Sequence, residues 1–320
     1  MIGRMPSVES GLVHIVRDFL EAHRLMQDLF ARHRDGRLRF EDLRDLVGDD
    51  DRSVLFRLKE RCHAAFRNSR EASGLTLQRE ALFDLAVGSL FHEAMKLREN
   101  FYQREVYGPR VRALRSRAGG EAPELFEEFD RLLDGVAARL EEGLRESEVL
   151  LARTVEQLRQ LLAVHRADGA VARFLVESAR AVEAAFECPL DALLAETYGS
   201  RAAALALTGS SYLDSGYYAS ALSALEQAVG PGEGSELGPL VAYARGMDAY
   251  LKRDYPASLA SLSSWVESQD TGNPARLRLA RDAVACIARL SEGEDREQIS
   301  ANANALLARL GSGDQASATR

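Results

Sequence analysis

The sequence predicts an all-α protein with an N-terminal helical bundle, a long central helix and C-terminal helical repeats. Three observations predict this fold. The chain is rich in the helix formers Ala, Leu, Arg and Glu and contains eight prolines in 320 residues. No run of alternating apolar and polar residues, bounded by turn residues, predicts a β-strand. An internal repeat near the C-terminus, described below, predicts stacked helical hairpins.

The composition is that of an ordinary soluble chain. Hydrophobic residues make up 46% of it and charged residues 28%, and the net charge is -8. A chain of this charge has no general attraction for nucleic acids or anionic lipids. Residues 1–10 lack the apolar core of an export signal, and no apolar run approaches the length that crosses a bilayer. We therefore expect a cytoplasmic protein without a membrane partner.

Residues 1–118 are predicted to form the helical bundle. Apolar residues recur at three- and four-residue intervals over 10–34, 51–67 and 76–107, and a short helix is expected over 40–47. The Asp35-Gly36 and Gly48-Asp49-Asp50 segments supply turns between these helices. The bundle is thus predicted from periodicity and turn residues.

The corner at residues 40–61 also has the spacing of a DNA-binding helix-turn-helix, with Arg52, Arg57 and Arg61 nearby. Three aspartates at 49–51 would lead the helix meant for the major groove and would face phosphates there. A plain helical corner is the preferred interpretation. A DNA-binding regulator, with the repeats as its sensor, is the alternative function.

The sequence indicates no metal or cofactor site. Glu60 and His63 form a Glu-x-x-His pair, a unit that di-iron bundles use twice, but it occurs once here. Cys62, Cys188 and Cys286 are far apart within apolar helical patterns, which favours free thiols. We expect no metal and no cofactor.

Residues 122–168 are predicted to form a long spine helix that begins at Pro123 and ends at Asp168-Gly169. A near-heptad seam of apolar residues runs through it from Phe129 to Leu162. Such a seam either packs against helices of the same chain or forms a coiled-coil homodimer over 129–162. Both alternatives are open at this point.

Residues 202–265 repeat once with a shift of 37. Gly209, Tyr218, Leu222 and Leu225 recur as Gly246, Tyr255, Leu259 and Leu262. Each copy predicts a helix, a tight turn at Ser215-Gly216 or Arg253-Asp254, and a second helix. A less regular third unit is expected, with helices over 274–290 and 296–310. The repeat module is therefore predicted to occupy 170–310, followed by a disordered tail at 311–320.

These hairpins resemble the tetratricopeptide repeat over 202–265, and loosely as far as 310. The first copy matches its pattern at Gly209, Tyr212, Gly216, Tyr218, Ala221, Leu225 and Ala228. The second copy keeps Gly246, Asp254, Tyr255, Leu259 and Leu262. It departs at Ala249, where a tyrosine is usual, and at Trp265, where a small residue is usual. Residues 1–190 resemble no known family.

The resemblance implies a concave groove, lined by the first helix of each hairpin, that binds another protein or a peptide. The implied lining residues are Ala206, Ser210, Leu213, Asp214, Tyr243, Met247, Tyr250 and Leu251. This lining is largely apolar, and either a partner or a helix of the same chain could fill it. Motifs for phosphate binding, dinucleotide binding and nucleophilic catalysis are missing from the sequence. We therefore expect a non-enzymatic adaptor or scaffold with no catalytic residues.

Overall fold

The computed structural model describes residues 8–48, 50–67, 73–118, 123–229, 236–268, 273–291 and 296–316. Every regular element in these ranges is a helix, so the predicted all-α fold class is confirmed. The chain forms two compact units, an N-terminal unit, Met1–Thr197, and a C-terminal unit, Tyr198–Arg320. None of the described helices combines the length and hydropathy that crossing a membrane requires.

The N-terminal unit contains the bundle, the spine helix and three short helices. Its helices are α1 (Val8–Arg34), α2 (Val54–Arg67), α3 (Gly74–Tyr102), α4 (Gly108–Arg117), α5 (Pro123–Val164), α6 (Gly169–Glu177), α7 (Ala179–Phe186) and α8 (Leu190–Tyr198). The spine helix α5 packs along α3, while α6 and α7 pack against α1. The N-terminal unit accordingly extends as far as Thr197.

The spine seam packs inside the chain. Its buried side chains are Val136, Leu140, Leu144, Leu151, Leu158 and Leu162. The approach between α5 and α3 is close, since a Cβ added at Gly143 would lie 2.9 Å from Leu97 Cδ2. These six seam residues therefore pack within the chain.

The corner before α2 differs from the predicted helix over 40–47. A 3₁₀-helix occupies Phe40–Leu43, and a turn follows. The backbone N–H of Phe40 donates to Glu105 Oε2 at 2.8 Å. The carbonyls of Asp45 and Leu46 accept from the first N–H groups of α2, at 3.0 Å each. Because these carbonyls accept hydrogen bonds from α2, they are not available to continue the helix predicted over 40–47. Helix α2 begins at Val54 instead of residue 51.

The helix predicted over 76–107 continues past its expected end. A π-helical turn at Gln103–Tyr107 connects α3 to α4. Pro109, the second residue of α4, has no N–H to donate to a carbonyl of the preceding π-helical turn. Gly108 is buried beside Leu133 of α5. Gly108 and Pro109 therefore mark a change of helix type at this position.

The C-terminal unit is a series of helical hairpins. Its helices are α9 (Arg201–Asp214), α10 (Tyr218–Val229), α11 (Gly238–Leu251), α12 (Tyr255–Glu267), α13 (Pro274–Leu290) and α14 (Glu297–Ala316). Together they enclose one apolar core that includes Leu225, Tyr243, Leu262, Trp265 and Ile287. The disordered tail predicted from residue 311 is helical as far as Ala316, and residues 317–320 lie outside the described residues.

Candidate protein-binding surface of the C-terminal unit

The turns of the first two hairpins have the same backbone geometry at positions 37 residues apart. Gly216 and Arg253 both lie in the left-handed region, with φ of 78° and 63°. Their N–H groups donate to Leu213 O and Tyr250 O, both at 3.0 Å. The next N–H in each turn donates to the carbonyl five residues earlier, at 2.9 Å in both copies. Each turn thus ends its first helix with the same pair of hydrogen bonds.

The helix crossings within these hairpins are also equivalent. A Cβ added at Gly209 would lie 2.5 Å from Leu225 Cγ, and one added at Gly246 would lie 2.7 Å from Leu262 Cγ. Both distances are shorter than real Cβ atoms allow. Each leucine therefore occupies the space that its glycine leaves open, which sets how closely the two helices of a hairpin approach.

Three of the predicted groove residues belong to the core. Leu213, Tyr243 and Met247 are buried, and Tyr243 is 0% exposed. The Tyr243 ring centroid lies 4.9 Å from that of Trp265 and 6.2 Å from that of Tyr218. Burial, together with the neighbouring Tyr218, raises the pKa of the Tyr243 phenol. In this structure these three side chains contribute to stability and are out of reach of a partner.

Helix α13 covers this part of the predicted groove. Its buried residues Ala280, Ala283, Val284 and Ile287 share a core with Tyr243 and Met247. Arg276, near the start of α13, pairs with Asp214 at the end of α9 at 3.0 Å. Since α13 belongs to the same unit, the chain fills this part of the groove itself. Ala206 and Ser210 are half-buried, and Asp214 is exposed.

The two remaining groove residues, Tyr250 and Leu251, line an open concavity of about 690 Å³. Leu251 is 61% exposed. The other lining residues come from the turn before α12, the start of α12, the end of α13 and the beginning of α14 with the residue before it: Arg253, Tyr255, Pro256, Leu290, Arg296 and Ile299. We call this the α11–α14 concavity. Its lining combines aliphatic and aromatic side chains with two guanidinium groups.

The electrostatics of the α11–α14 concavity are set by its arginines and by Tyr250. Arg253 and Arg296 have no ion-pair partner among the described residues. An interaction with the Cys286 thiol, followed by burial, raises the pKa of Tyr250 to about 12. Tyr250 is therefore a neutral hydrogen-bonding group at physiological pH. The concavity can offer apolar surface, a phenol and positive charge.

Sequence reasoning missed Tyr255, Leu290, Arg296 and Ile299 as members of this surface. The repeat pattern includes Tyr255, but as a packing residue. The third unit carries little of the repeat pattern, so its register against the second unit could not be assigned. The periodicity of α13 marks Leu290 as apolar without indicating which surface it reaches.

The corner with helix-turn-helix spacing uses two of its arginines within the chain. Asp18 of α1 is buried, and its carboxylate pairs with Arg61 at 3.0 Å and with Arg57 at 3.7 Å. Arg57 also pairs with Glu21 at 2.9 Å. Burial raises the pKa of Asp18, an effect that Arg61 and Arg57 oppose. These two guanidinium groups therefore bind α1 in this structure and do not form a free basic patch.

The Glu-x-x-His pair is likewise engaged locally. His63 Nδ1 lies 3.1 Å from Asp84 Oδ2, and Glu60 lies 3.5 Å from the Lys59 ammonium. Within the described ranges, no group of three or more His, Cys, Asp or Glu side chains is arranged to hold a metal ion. We therefore find no geometry here that builds a metal centre from these residues.

The α11–α14 concavity is thus an accessible part of the predicted groove. Tyr250 and Leu251 link it to the residues that the repeat pattern indicated. Its function has to be argued from its own chemistry, because comparison with protein-family models, curated proteins and solved structures finds no match to this chain.

Proposed function

We propose that the C-terminal unit is a protein-binding module, and that the chain acts as a non-enzymatic adaptor or scaffold. The α11–α14 concavity holds a short segment of a partner protein. The observation that carries this proposal is the accessible apolar lining around Leu251 and Leu290, which are 61% and 55% exposed. Clustered apolar surface of this kind on a soluble protein is typical of an interaction site.

The lining suits a peptide that carries large apolar side chains. Tyr250 and Tyr255 are half-buried, so their rings are partly fixed before a partner arrives. Rigid aromatic side chains lose little conformational entropy on binding and are frequent at binding hot spots. Leu251, Leu290 and Ile299 add aliphatic surface beside them. Together they favour a segment that buries one or two large apolar residues.

The guanidinium groups at Arg253 and Arg296 favour a carboxylate next to those apolar residues. Charge-assisted hydrogen bonds from arginine to carboxylate are among the stronger polar contacts at interfaces. Acidic residues of this chain at 292, 294 and 295 lie outside the described residues. The experiments below test the carboxylate preference by changing the peptide. They test the apolar contact by changing the protein.

The equivalence of the two hairpins supports the same proposal. Turn hydrogen bonds and glycine–leucine crossings recur 37 residues apart, as stacked helical repeats require. Repeat proteins of the tetratricopeptide type bind peptides on the surface that their stacked hairpins create, and this analogy adds to the argument from the concavity.

The test is a selection of peptides from a displayed library on the immobilised full chain, followed by calorimetry with the selected peptides. Leu251→Asp and Leu290→Asp each place a charge on the lining. Leu279→Asp is the matched control, because Leu279 of α13 is 46% exposed and does not line the concavity. We expect each lining variant to weaken binding by at least about tenfold, and the control to bind like the wild type.

The peptides themselves test the second part of the proposal. Replacing their carboxylates by amides should weaken binding to the wild type and should have less effect on an Arg253→Gln, Arg296→Gln variant. If the lining variants capture the selected peptides as well as Leu279→Asp does, the concavity is not the binding surface and the proposal is wrong.

A further inference from the structure

A buried carboxylate in the N-terminal unit has one oxygen without a donor. Glu80 of α3 is 3% exposed. Its Oε1 lies 3.2 Å from His165 Nε2. Its Oε2 is buried and has no hydrogen-bond partner among the described residues. Because buried charged groups are normally satisfied on all sides, this oxygen indicates a place for a donor from outside the chain.

Glu80 lines a cavity of about 240 Å³. A single water needs roughly 10–15 Å³ of such space, so the cavity is large enough for a small organic molecule. Its apolar lining comes from α1, α2, the end of α5 and the turn that follows it: Leu12, Ile15, Ala65, Phe66, Val164 and Ala167. Ala167 is exposed and Ala65 is half-buried, which places the mouth of the cavity at the surface.

The polar lining of the cavity is rich in acceptors. Besides Glu80 and His165 it includes Asp168, which is buried and caps α6 by accepting from Ala170 N at 2.9 Å and Val171 N at 3.1 Å. A carboxylate can only accept, so His165 Nε2 carries the proton in its bond to Glu80. Arg79, next to Glu80 in the sequence, donates to Gln160 instead. No lysine or arginine is among the described residues that line the cavity.

We propose that this cavity binds a small organic amine in its ammonium form. The ammonium group donates to the Glu80 carboxylate, whose shielded Oε2 turns toward the cavity on binding, and the apolar part of the molecule lies against Leu12, Ile15 and Phe66. A charge-assisted N–H···O bond satisfies the free oxygen and compensates the buried charge at the same time. An anion would meet two carboxylates, and the described residues do not supply the ligands that a metal ion needs.

The first experiment is a calorimetric titration of the full chain with benzylamine at neutral pH. Benzyl alcohol and benzoate are the matched probes, with the same ring and a neutral or negative group. We expect saturable one-to-one binding of benzylamine, binding at least about tenfold weaker for benzyl alcohol, and none for benzoate. Glu80→Gln should weaken benzylamine binding to the same extent. Glu60→Gln, which changes an exposed carboxylate on α2, should leave it unchanged.

A second pair of variants tests the cavity without touching the carboxylate. Ala65→Leu fills part of the cavity, whereas Ala64→Leu makes the same change at an exposed neighbouring position. We expect Ala65→Leu to abolish binding and Ala64→Leu to retain it, and this pair decides the matter if Glu80→Gln does not fold. The proposal is overturned if wild-type protein shows no saturable binding of benzylamine, if benzyl alcohol binds equally well, or if Ala65→Leu binds like Ala64→Leu.

Discussion

Arg253 has the same left-handed backbone conformation as Gly216, which precedes it by 37 residues in the equivalent turn, with φ of 63° against 78°. A side chain in this region costs roughly 1–2 kcal/mol because its Cβ crowds the following carbonyl. Gly216→Ala should therefore lower the free energy of unfolding by about 1–2 kcal/mol. Arg253→Gly should raise it by up to about 1 kcal/mol, since the gain in the folded state exceeds the added entropy of the unfolded chain.

Urea unfolding followed by circular dichroism measures both turn variants. The discriminating result is that Gly216→Ala lowers the free energy of unfolding whereas Arg253→Gly raises it. A Gly216→Ala protein as stable as the wild type would show that this turn does not need a left-handed residue.

The glycines at the two helix crossings make a second prediction. Gly209→Ala and Gly246→Ala each place a methyl group within 3 Å of a leucine side chain. Overpacking of this kind typically lowers the stability of the fold by about 1–3 kcal/mol. The better helix propensity of alanine offsets roughly 1 kcal/mol of this loss. We expect both variants to be less stable than the wild type in thermal and urea unfolding.

Gly88→Ala is the control for those variants, because nothing lies within 4 Å of a Cβ at Gly88, in the middle of α3. It should be more stable by about 0.5–1 kcal/mol. If all three alanine variants gained stability alike, the glycines at 209 and 246 would not be required for close packing.

Tyr243 and Tyr250 are predicted to respond differently to truncation. Tyr243 is fully buried against Trp265, so Tyr243→Ala should cost about 3–5 kcal/mol of stability. Tyr250 is half-buried in the α11–α14 concavity, so Tyr250→Ala should lower the stability of the fold by less than Tyr243→Ala does. For a peptide that binds there, Tyr250→Ala should lower affinity by roughly 1–4 kcal/mol. Melting temperatures and calorimetry separate the two effects; equal losses of stability would make Tyr250 a core residue as well.

The helices were predictable from local sequence, because apolar residues at three- and four-residue spacing and terminal Gly or Pro residues act within one element. The predicted limits of α13, for example, agree with the structure at Pro274 and Leu290. The corner at residues 40–47 was not predictable in this way. Its geometry depends on Glu105, which is 65 residues from Phe40 along the chain. A periodicity argument has no access to such a contact.

The accessible part of the groove could be predicted for Tyr250 and Leu251 and not for the residues opposite them. Whether Tyr243 faces a groove or a core depends on where α13 packs. The Arg276–Asp214 pair that accompanies this packing joins residues 62 positions apart. Neither residue belongs to the repeat pattern. The resemblance indicated which helix lines the concave side, and tertiary packing decided how much of that side remains open.

The last prediction concerns the buried imidazole of His23 in α1. Burial lowers the pKa of His23 from its ordinary value of 6.5, and the opposing effect of Glu187 is smaller. Glu148 of α5 and Glu187 line the same small cavity as His23. When the pH falls below about 6.5, the unfolded chain binds a proton that folded His23 resists. The contribution of His23 to the free energy of unfolding is therefore complete above about pH 6.5. Below that pH it decreases, by at most about 1.4 kcal/mol per pH unit.

His23→Gln removes this group and keeps a neutral polar side chain of similar reach. In urea unfolding between pH 7.5 and pH 5, the variant should lose stability less steeply than the wild type. The control is His92→Gln, which changes an exposed histidine of α3 and should keep the wild-type slope. Parallel pH profiles for wild type and His23→Gln would mean that the acid sensitivity of the fold comes from other groups, such as the ion-paired carboxylates. A flatter profile for His23→Gln alone would assign that sensitivity to one buried imidazole.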